Sequence, residues 1–566
     1  MMWSMGAPLP LLALVLPLVL GCIAALPPMR RHAIRLLPLG PLPALWLGLI
    51  GAQGDTSVPF LLLGVELRVT PITAIFTAMT AALWLAAGLY AQSYMDKTQR
   101  PAVFTGFWCL TLAGNLGVFL AADVVTFYVA FATVSLASYV LIVHDATREA
   151  LRAGRVYIAL VIIGEVCLLA AFVLGMEAAD SLDIGDIRMA LGDIPLGELA
   201  AALLIVGFGI KAGLMPLHFW LPLAHPAAPT PASAVLSGAI VKAGIIGLML
   251  FLPAKMDFAD WLMWLGFAGA FGAALLGLLR SDPKAILAYS TISQMSLVIA
   301  LIAAAISASD GPDFDRVTLY ALHHGLAKGA LFLSVGLVAA CAGGWRRATV
   351  LFVALVALSV SGAPLTGGNL TKLAAKSGLE GMAETALTLT AITTTLVLAW
   401  FLWQLGNAKS GKGRPNMFLA LPTLALGLGA LAVPWLLGPD WSGLEPGYPL
   451  KPGSIWSSSW PIIAGVVAAV IWARYGAPIR AGASQFTAWL VRLAVRPRAY
   501  LPHYATSTTR RLDAGRNAAE DGLRSALGTV AEAAGTAENY LKRQRYLALL
   551  LILLAVVIAV QEWLWR

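Results

Sequence analysis

The sequence predicts an all-α polytopic membrane protein with about 16 transmembrane helices. Three observations predict it. Hydrophobic residues make up 59% of the 566 positions and charged residues only 12%, with a mean hydropathy of +0.81, well outside the soluble globular range. Apolar stretches of about 20 residues, long enough at the helical rise to cross a hydrocarbon core, recur along the chain. The basic residues gather in alternate loops rather than on one face.

By apolar length and loop signals, spans are expected near 6–26, 34–51, 69–92, 102–121, 124–143, 156–175, 199–222 and 231–252. Further spans follow near 261–279, 285–308, 317–341, 348–376, 383–405, 416–437, 460–475 and 546–564. The first apolar run lacks a basic n-region and is followed by more spans, so it is expected to be a retained helix rather than a signal peptide.

The net charge of +9 would suggest nucleic acid in a soluble chain, but here topology accounts for it. Arg30, Arg31 and Arg35, then Lys97 and Arg100, Arg148 to Arg155, Arg280 and Lys284, Arg346 and Arg347, and Lys409 to Arg414 occupy alternate loops. Loops of the other set are acidic, with Glu177 to Asp193 in one and Asp310 to Asp315 in another. The positive-inside rule puts the basic set in the cytoplasm and, with an even span count, both termini on the opposite side of the cell inner membrane. Cys22, Cys109, Cys167 and Cys341 all lie in apolar segments without CxxC spacing, so no metal, iron–sulfur cluster or other cofactor is expected. GNAKSGKG, Gly406 to Gly413, nearly spells a phosphate loop, but Gly413 stands where Ser or Thr must hold magnesium.

Two spans are interrupted by glycine and proline, in GFGIKAGLMPLHFWLP from Gly207 to Pro222 and in SGAPLTGGNLTK from Ser361 to Lys372. Non-helical backbone at membrane depth is tolerated where it is buried in protein or lines a wet cavity, and paired broken helices suggest a duplicated transporter core. The expected organisation is N-terminal helices (1–101), a first repeat half (102–252), a second (253–405), C-terminal core helices (406–477), a cytoplasmic amphipathic segment (478–545) and a terminal anchor (546–566). In the amphipathic segment Leu512, Ala519, Leu523, Leu527 and Val530 share a helical face.

An ionisable residue at mid-bilayer costs at least about 2.5–3.5 kcal/mol on insertion scales, so several together call for a collective explanation. Glu165, Lys211, Lys242, His324, Lys328 and Lys372 all fall inside spans. His324 and Lys328 are four apart and share a helix face. Desolvation disfavours the charged form of an amine and histidine titrates near neutrality, so a row of such groups linked by water can pass protons. The competing reading of each lysine taken singly is a snorkelling side chain or a packing anchor. His218 and His225 suit a relay or a hydrogen bond to freed backbone; Asp282, Lys284 and Tyr320 are held as relay or structural residues, and His323 receives no role. Asp123 is expected at a span end, in water.

The block from Gly207 to Met249, with SDPKAILAYSTISQMS, HHGLAKGALF and GAPLTGGNLTK following in order, resembles the antiporter-like membrane subunits of respiratory complex I, Mrp cation/proton antiporters and complex-I-related membrane-bound hydrogenases. The resemblance covers roughly residues 70–405. It implies two inverted five-helix repeats with two broken helices, proton transfer along a central hydrophilic axis, and assembly beside other membrane subunits. It also implies a C-terminal lateral helix and anchor that brace neighbours. By motif, Lys211 resembles the lysine of the first broken helix, Lys242 the bridging lysine, His324 and Lys328 the central relay, Lys372 the terminal lysine, and Glu165 the acid of the sixth span. Ala132 stands where the family usually places a glutamate, Tyr320 where a histidine is frequent, Leu223 for an aspartate and Asn369 for an aromatic.

The function expected is therefore a proton or cation/proton translocating subunit without catalytic residues of its own, working with a redox arm or a soluble enzyme. The alternatives are a non-conducting or half-conducting scaffold, and the membrane partner of a soluble inorganic-carbon uptake enzyme. No nucleic acid is expected to bind.

Overall fold

The computed structural model describes residues 9–480 apart from positions 255, 309, 310, 410, 412 and 415. The amphipathic segment and terminal anchor expected beyond residue 480 lie outside the described residues.

Three N-terminal elements come first: α1 (Leu9–Ala25), then a 3-10 segment (Arg30–Leu39) running into α2 (Leu42–Ile50). A hairpin of β1 (Gly54–Val58) and β2 (Val65–Val69) pairs antiparallel, with Gly54 opposite Val69 and Val58 opposite Val65. The next helices are α3 (Pro71–Tyr94), α4 (Pro101–Leu120), α5 (Val124–Ile142), α6 (Arg148–Ala179), the short α7 (Ile184–Leu191) and α8 (Gly197–Ala212). After a break come α9 (Leu221–Ala227), α10 (Thr230–Val235), a π-helical turn (Leu236–Ile240) and α11 (Lys242–Phe251). Then follow α12 (Ala259–Leu278), α13 (Pro283–Ile306), α14 (Asp315–Ala340), α15 (Gly343–Ser361), α16 (Gly367–Lys376), α17 (Gly381–Asn407), α18 (Met417–Trp441) and α19 (Pro452–Tyr475).

Among the described residues 13 helices are long and apolar enough to cross a membrane, counting Arg30–Ile50 and Thr230–Phe251 as single rods. The chain is thus a multi-pass integral membrane protein; the full-length spans among the described residues are fewer than the sixteen expected of the whole chain. The first expected span is a helix of 17 residues. The seventh stops after 16 residues, at its break. The sixteenth lies outside the described residues.

Helix starts follow side chains that accept the free backbone N–H groups of the first turn. Thr70 and Thr73 form a reciprocal capping box at α3. Thr147 caps α6 through the Ala150 amide, and Asp282 caps α13 through the Ala285 amide at 2.8 Å. Asp123 corrects an expectation: it is buried, not solvated. One carboxylate oxygen accepts from the Thr126 amide at 2.7 Å and the other from the Glu66 amide at 2.9 Å, so one side chain caps α5 and clamps β2 onto it. The same corner holds Arg68 between Asp55 and Asp183, at 3.0 and 3.1 Å, and both carboxylates raise the guanidinium above its ordinary pKa.

The core sits where α10, α11, α13 and α14 meet. The apolar window of α13 is buried along its whole length, whereas that of α19 is only 17% buried. Polar residues on α13 and α14 are therefore sealed inside the protein, and the apolar outer faces of α6, α15 and α19 are left for lipid or for another protein.

Candidate functional site: a buried row of amines and imidazoles

The first broken helix explains where Lys211 sits. α8 ends because Gly213 takes φ +83°, a left-handed conformation that suits glycine. The Gly209 carbonyl accepts from the Gly213 and Leu214 amides, and the Trp220 indole donates to the Ile210 carbonyl at 2.7 Å. The break is thus satisfied inside the protein, as a break at membrane depth must be. Lys211, 2% exposed, donates to Ser135 Oγ at 3.0 Å and to the Tyr157 hydroxyl at 3.4 Å. Its Nζ also lies 5.6 Å from the Phe131 ring centre and 5.9 Å from that of Tyr157. Glu165 lines the same small cavity, yet neither carboxylate oxygen has a hydrogen-bond partner. The ion pairs found among the described residues involve Arg68, Lys376 and Lys451, not Lys211. Hydroxyls and ring faces hold the amine directly, and the carboxylate acts from farther away.

At the centre, Lys242 Nζ lies 2.7 Å from His324 Nδ1, and it donates to the Ser237 carbonyl at 3.0 Å. Lys242 is fully buried and His324 is 1% exposed. Two local features bring them together. The π-helical turn before Lys242 turns a carbonyl toward its own amine. Glycines let the two helices approach: a Cβ on Gly238 would meet the Gly325 carbonyl oxygen at 2.9 Å, and one on Gly325 would meet that of Gly238 at 3.0 Å. At this distance one nitrogen donates an N–H to the other, the amine to a bare Nδ1 or a protonated Nδ1 to the amine. His324 Nε2 is buried with no hydrogen-bond partner.

Lys328 is also fully buried and donates to Ser290 Oγ at 2.7 Å and to the Leu287 carbonyl at 3.4 Å. Tyr320, two turns earlier on α14, donates to Gln294 Oε1 at 2.7 Å, and Gln294 Nε2 donates to Thr394 at 3.1 Å. His225 is completely buried, stacked on Phe332 at 4.6 Å, with both ring nitrogens unpartnered. Lys284 is half-buried and donates to the Ala228 carbonyl at 2.8 Å. His218 is 3% exposed, packed against Phe219 and Tyr289, with Nδ1 unpartnered.

The second break repeats the device with its lysine on the other side. α15 ends at Gly362, φ +90°. Lys372 reaches back from α16 to the Ser361 carbonyl at 3.0 Å. Unlike Lys211, Lys242 and Lys328 it is only part-buried, facing a cavity of about 40 Å³ also lined by Asn369, Lys376, Ser457 and Ser458. That volume exceeds what one water needs. His323, given no role from sequence, bonds Ser359 Oγ through Nε2 at 2.9 Å, and the same hydroxyl accepts from the Gly368 amide at 3.1 Å. It ties α14 to both arms of the second break.

Sequence reasoning missed the small hydroxyls that solvate the amines: Ser135 and Tyr157 around Lys211, Ser290 at Lys328, Ser359 at His323. The available signal was Ser290, Thr291, Ser293 and Gln294 packed together inside a span whose every turn is buried. Among the described residues no three His, Cys, Asp or Glu side chains gather to hold a metal ion.

The model of the family described as NADH:quinone oxidoreductase/Mrp antiporter, TM, matches residues 121–398. Hydrogenase-4 component B of Escherichia coli is 31% identical over 297 residues, covering 50% of this chain and 44% of that protein. A Na(+)/H(+) antiporter subunit of Bacillus subtilis is 28% identical over 303 residues, covering 51% and 59%. The chain thus spans about half the length of these relatives. A chain of the Mrp complex from Dietzia sp. superposes with a TM-score of 0.65 at 19% identity, covering 83% of this chain and 100% of that one. A chain of an archaeal membrane-bound sulfane sulfur reductase gives 0.63 at 22%, covering 75% of each. At those identities the likeness is one of fold. Residues 121–398 thus match the membrane domain of the NADH:quinone oxidoreductase/Mrp antiporter family, and the chain is similar to antiporter-like membrane subunits.

Proposed function

We propose that the chain translocates protons, or exchanges a cation for protons, as one membrane subunit of a multisubunit energy-converting complex. The contact between Lys242 and His324, at 2.7 Å and out of reach of solvent, carries this reading. Three or more buried bases serve no evident packing purpose, and their insertion cost is explained by movement of charge between them.

The row is read as an ordered series of stations. Glu165 and Lys211 form one end, Lys242 and His324 the bridge, Lys328 with Ser290 the next station, and Lys372 at its small cavity the other end. His225 and Lys284 extend the central station toward the basic loops, and His218 with Tyr320 supports it. The two halves, 102–252 and 253–405, are read as inverted repeats with one broken helix each. The basic loops are read as cytoplasmic, in a bacterial inner membrane, with both termini on the other side. Relatives named for a hydrogenase component and an antiporter subunit support assembly beside other membrane subunits; the driver is then a redox arm, a soluble enzyme or an antiported cation.

The test is proton flux into vesicles that contain the protein with the subunits that copurify in mild detergent. Wild-type complex should acidify or alkalinise the lumen when its partner is supplied with substrate. Lys328→Ala should assemble equally and lose that flux. Wild-type flux in an assembled Lys328→Ala complex would sink the relay.

A further inference from the structure

On the side of the acidic loops, where α3 and α14 begin and α7, α11 and α18 come together, lies a cavity of about 560 Å³ that the buried row does not use. Its size falls within the 300–1,000 Å³ range of small-molecule sites. Ile246, Met249 and Leu250 of α11 form an apolar wall, with Ile72 opposite. Phe314 and Trp441 contribute aromatic faces, as at a membrane interface.

Three charges line it: Arg188, Asp315 and Asp440. Arg188 stands over the Phe314 ring at 5.6 Å and donates through Nε to the Leu252 carbonyl at 2.9 Å. Its Nη2 is buried with no partner, and no ion pair within the described residues neutralises it. A guanidinium stays charged even when burial lowers its pKa, as it does here, so an unmet donor beside a cavity calls for an acceptor. Simple anions are a poor match, because two carboxylates share the space. Simple cations are equally poor, because the guanidinium does. A ligand carrying both charges on one short headgroup, with an apolar tail, satisfies all three side chains and the walls.

We propose that this cavity binds a zwitterionic aminophospholipid, its phosphate on Arg188, its ammonium toward Asp315 and Asp440, and an acyl chain along the α11 wall. Ile246 and Met249 lie on the face of α11 that carries Lys242, one and two turns away. A bound headgroup therefore seals that face of the bridging lysine from the acidic-loop side.

The experiment delipidates the purified full-length protein and measures retention of synthetic phosphatidylethanolamine and phosphatidylglycerol by native mass spectrometry. Wild type should retain phosphatidylethanolamine at least about tenfold better, the ratio expected for one additional charge-assisted contact. Arg188→Gln should lose the bound lipid. Asp440→Asn changes an exposed residue and should fold normally; it should shrink the preference between the two lipids while leaving some binding of each. Equal retention of both lipids by wild type, or an unchanged preference in Asp440→Asn, would overturn the proposal. Displacement of the lipid by soluble phosphoethanolamine at comparable concentration would assign the site to a free zwitterion and overturn the lipid assignment.

Discussion

Lys242 and His324 touch at 2.7 Å although they stand 82 positions apart, and the two glycines at the helix crossing, Gly238 and Gly325, permit the contact. Each helix packs its backbone against the other's carbonyl, which no larger residue allows. The bridge between the two ends of the polar row is therefore a property of how α14 crosses the π-helical turn, as much as of the bases themselves.

Gly238→Ala should uncouple the row. A new Cβ meets Leu83 and the Gly325 carbonyl, and overpacking of this kind costs about 1–3 kcal/mol while pushing helices apart. The expected outcome is an assembled protein, of lower thermal stability, with flux reduced at least as much as by His324→Asn. Wild-type flux together with lower stability would show that the close contact is not needed for transfer.

Glu165 is expected to tune Lys211 from across their shared cavity, since Ala132 leaves no carboxylate on α5 to do so. Coupled proton uptake should fall in Glu165→Gln and recover in part when Ala132→Glu is added. An intact complex that transports normally with Glu165→Gln would make the first half a scaffold.

His144 gives a pH dependence outside the membrane spans. It joins the loop after α5 to Thr98 through Nε2 at 2.8 Å and stands edge-on to Phe104. Burial first, then the charge of Arg100, lowers its pKa below the ordinary 6.5, against an opposing pull from Asp145. A depressed folded pKa means the unfolded loop binds the proton more readily. The tie is fully present above about pH 6.5 and is lost as pH falls toward and through the folded value. Hydrogen-exchange protection at residues 95–100 and 143–147, taken relative to the intrinsic rate at each pH, should fall between pH 7 and pH 5 in wild type, and His144→Gln should flatten that dependence.

Asp123→Ala should destabilise the corner joining β2 and α5. It removes a helix cap and the acceptor for the Glu66 amide together, a loss of about 1–3 kcal/mol. Thermal unfolding monitored in detergent should shift down, and Asp123→Asn, which keeps the acceptor geometry for one amide, should recover part of the loss. Equal stability of all three proteins would remove the clamp.

The sequence by itself determined that the chain crosses a membrane many times, because the bilayer admits only apolar helices of a given length and the composition is a direct record of that constraint. It also exposed the costly residues. Glu165, Lys211, Lys242, His324 and Lys328 stand out because a charge inside an apolar run has no local justification. The two breaks were legible for the same reason, since Gly213 and Gly362 occupy conformations that glycine adopts readily. Tertiary structure decided what those residues meet. Ser135, Tyr157, Ser290 and Ser359 look like ordinary helix residues until a distant helix aims an amine or an imidazole at them. His323 and Asp123 changed meaning on folding, one through a hydroxyl 36 positions away and the other through an amide 57 positions away. Periodicity says which face of a helix is buried. It cannot say which other helix that face will meet, because the choice is made by close packing of glycines and side chains across the whole bundle.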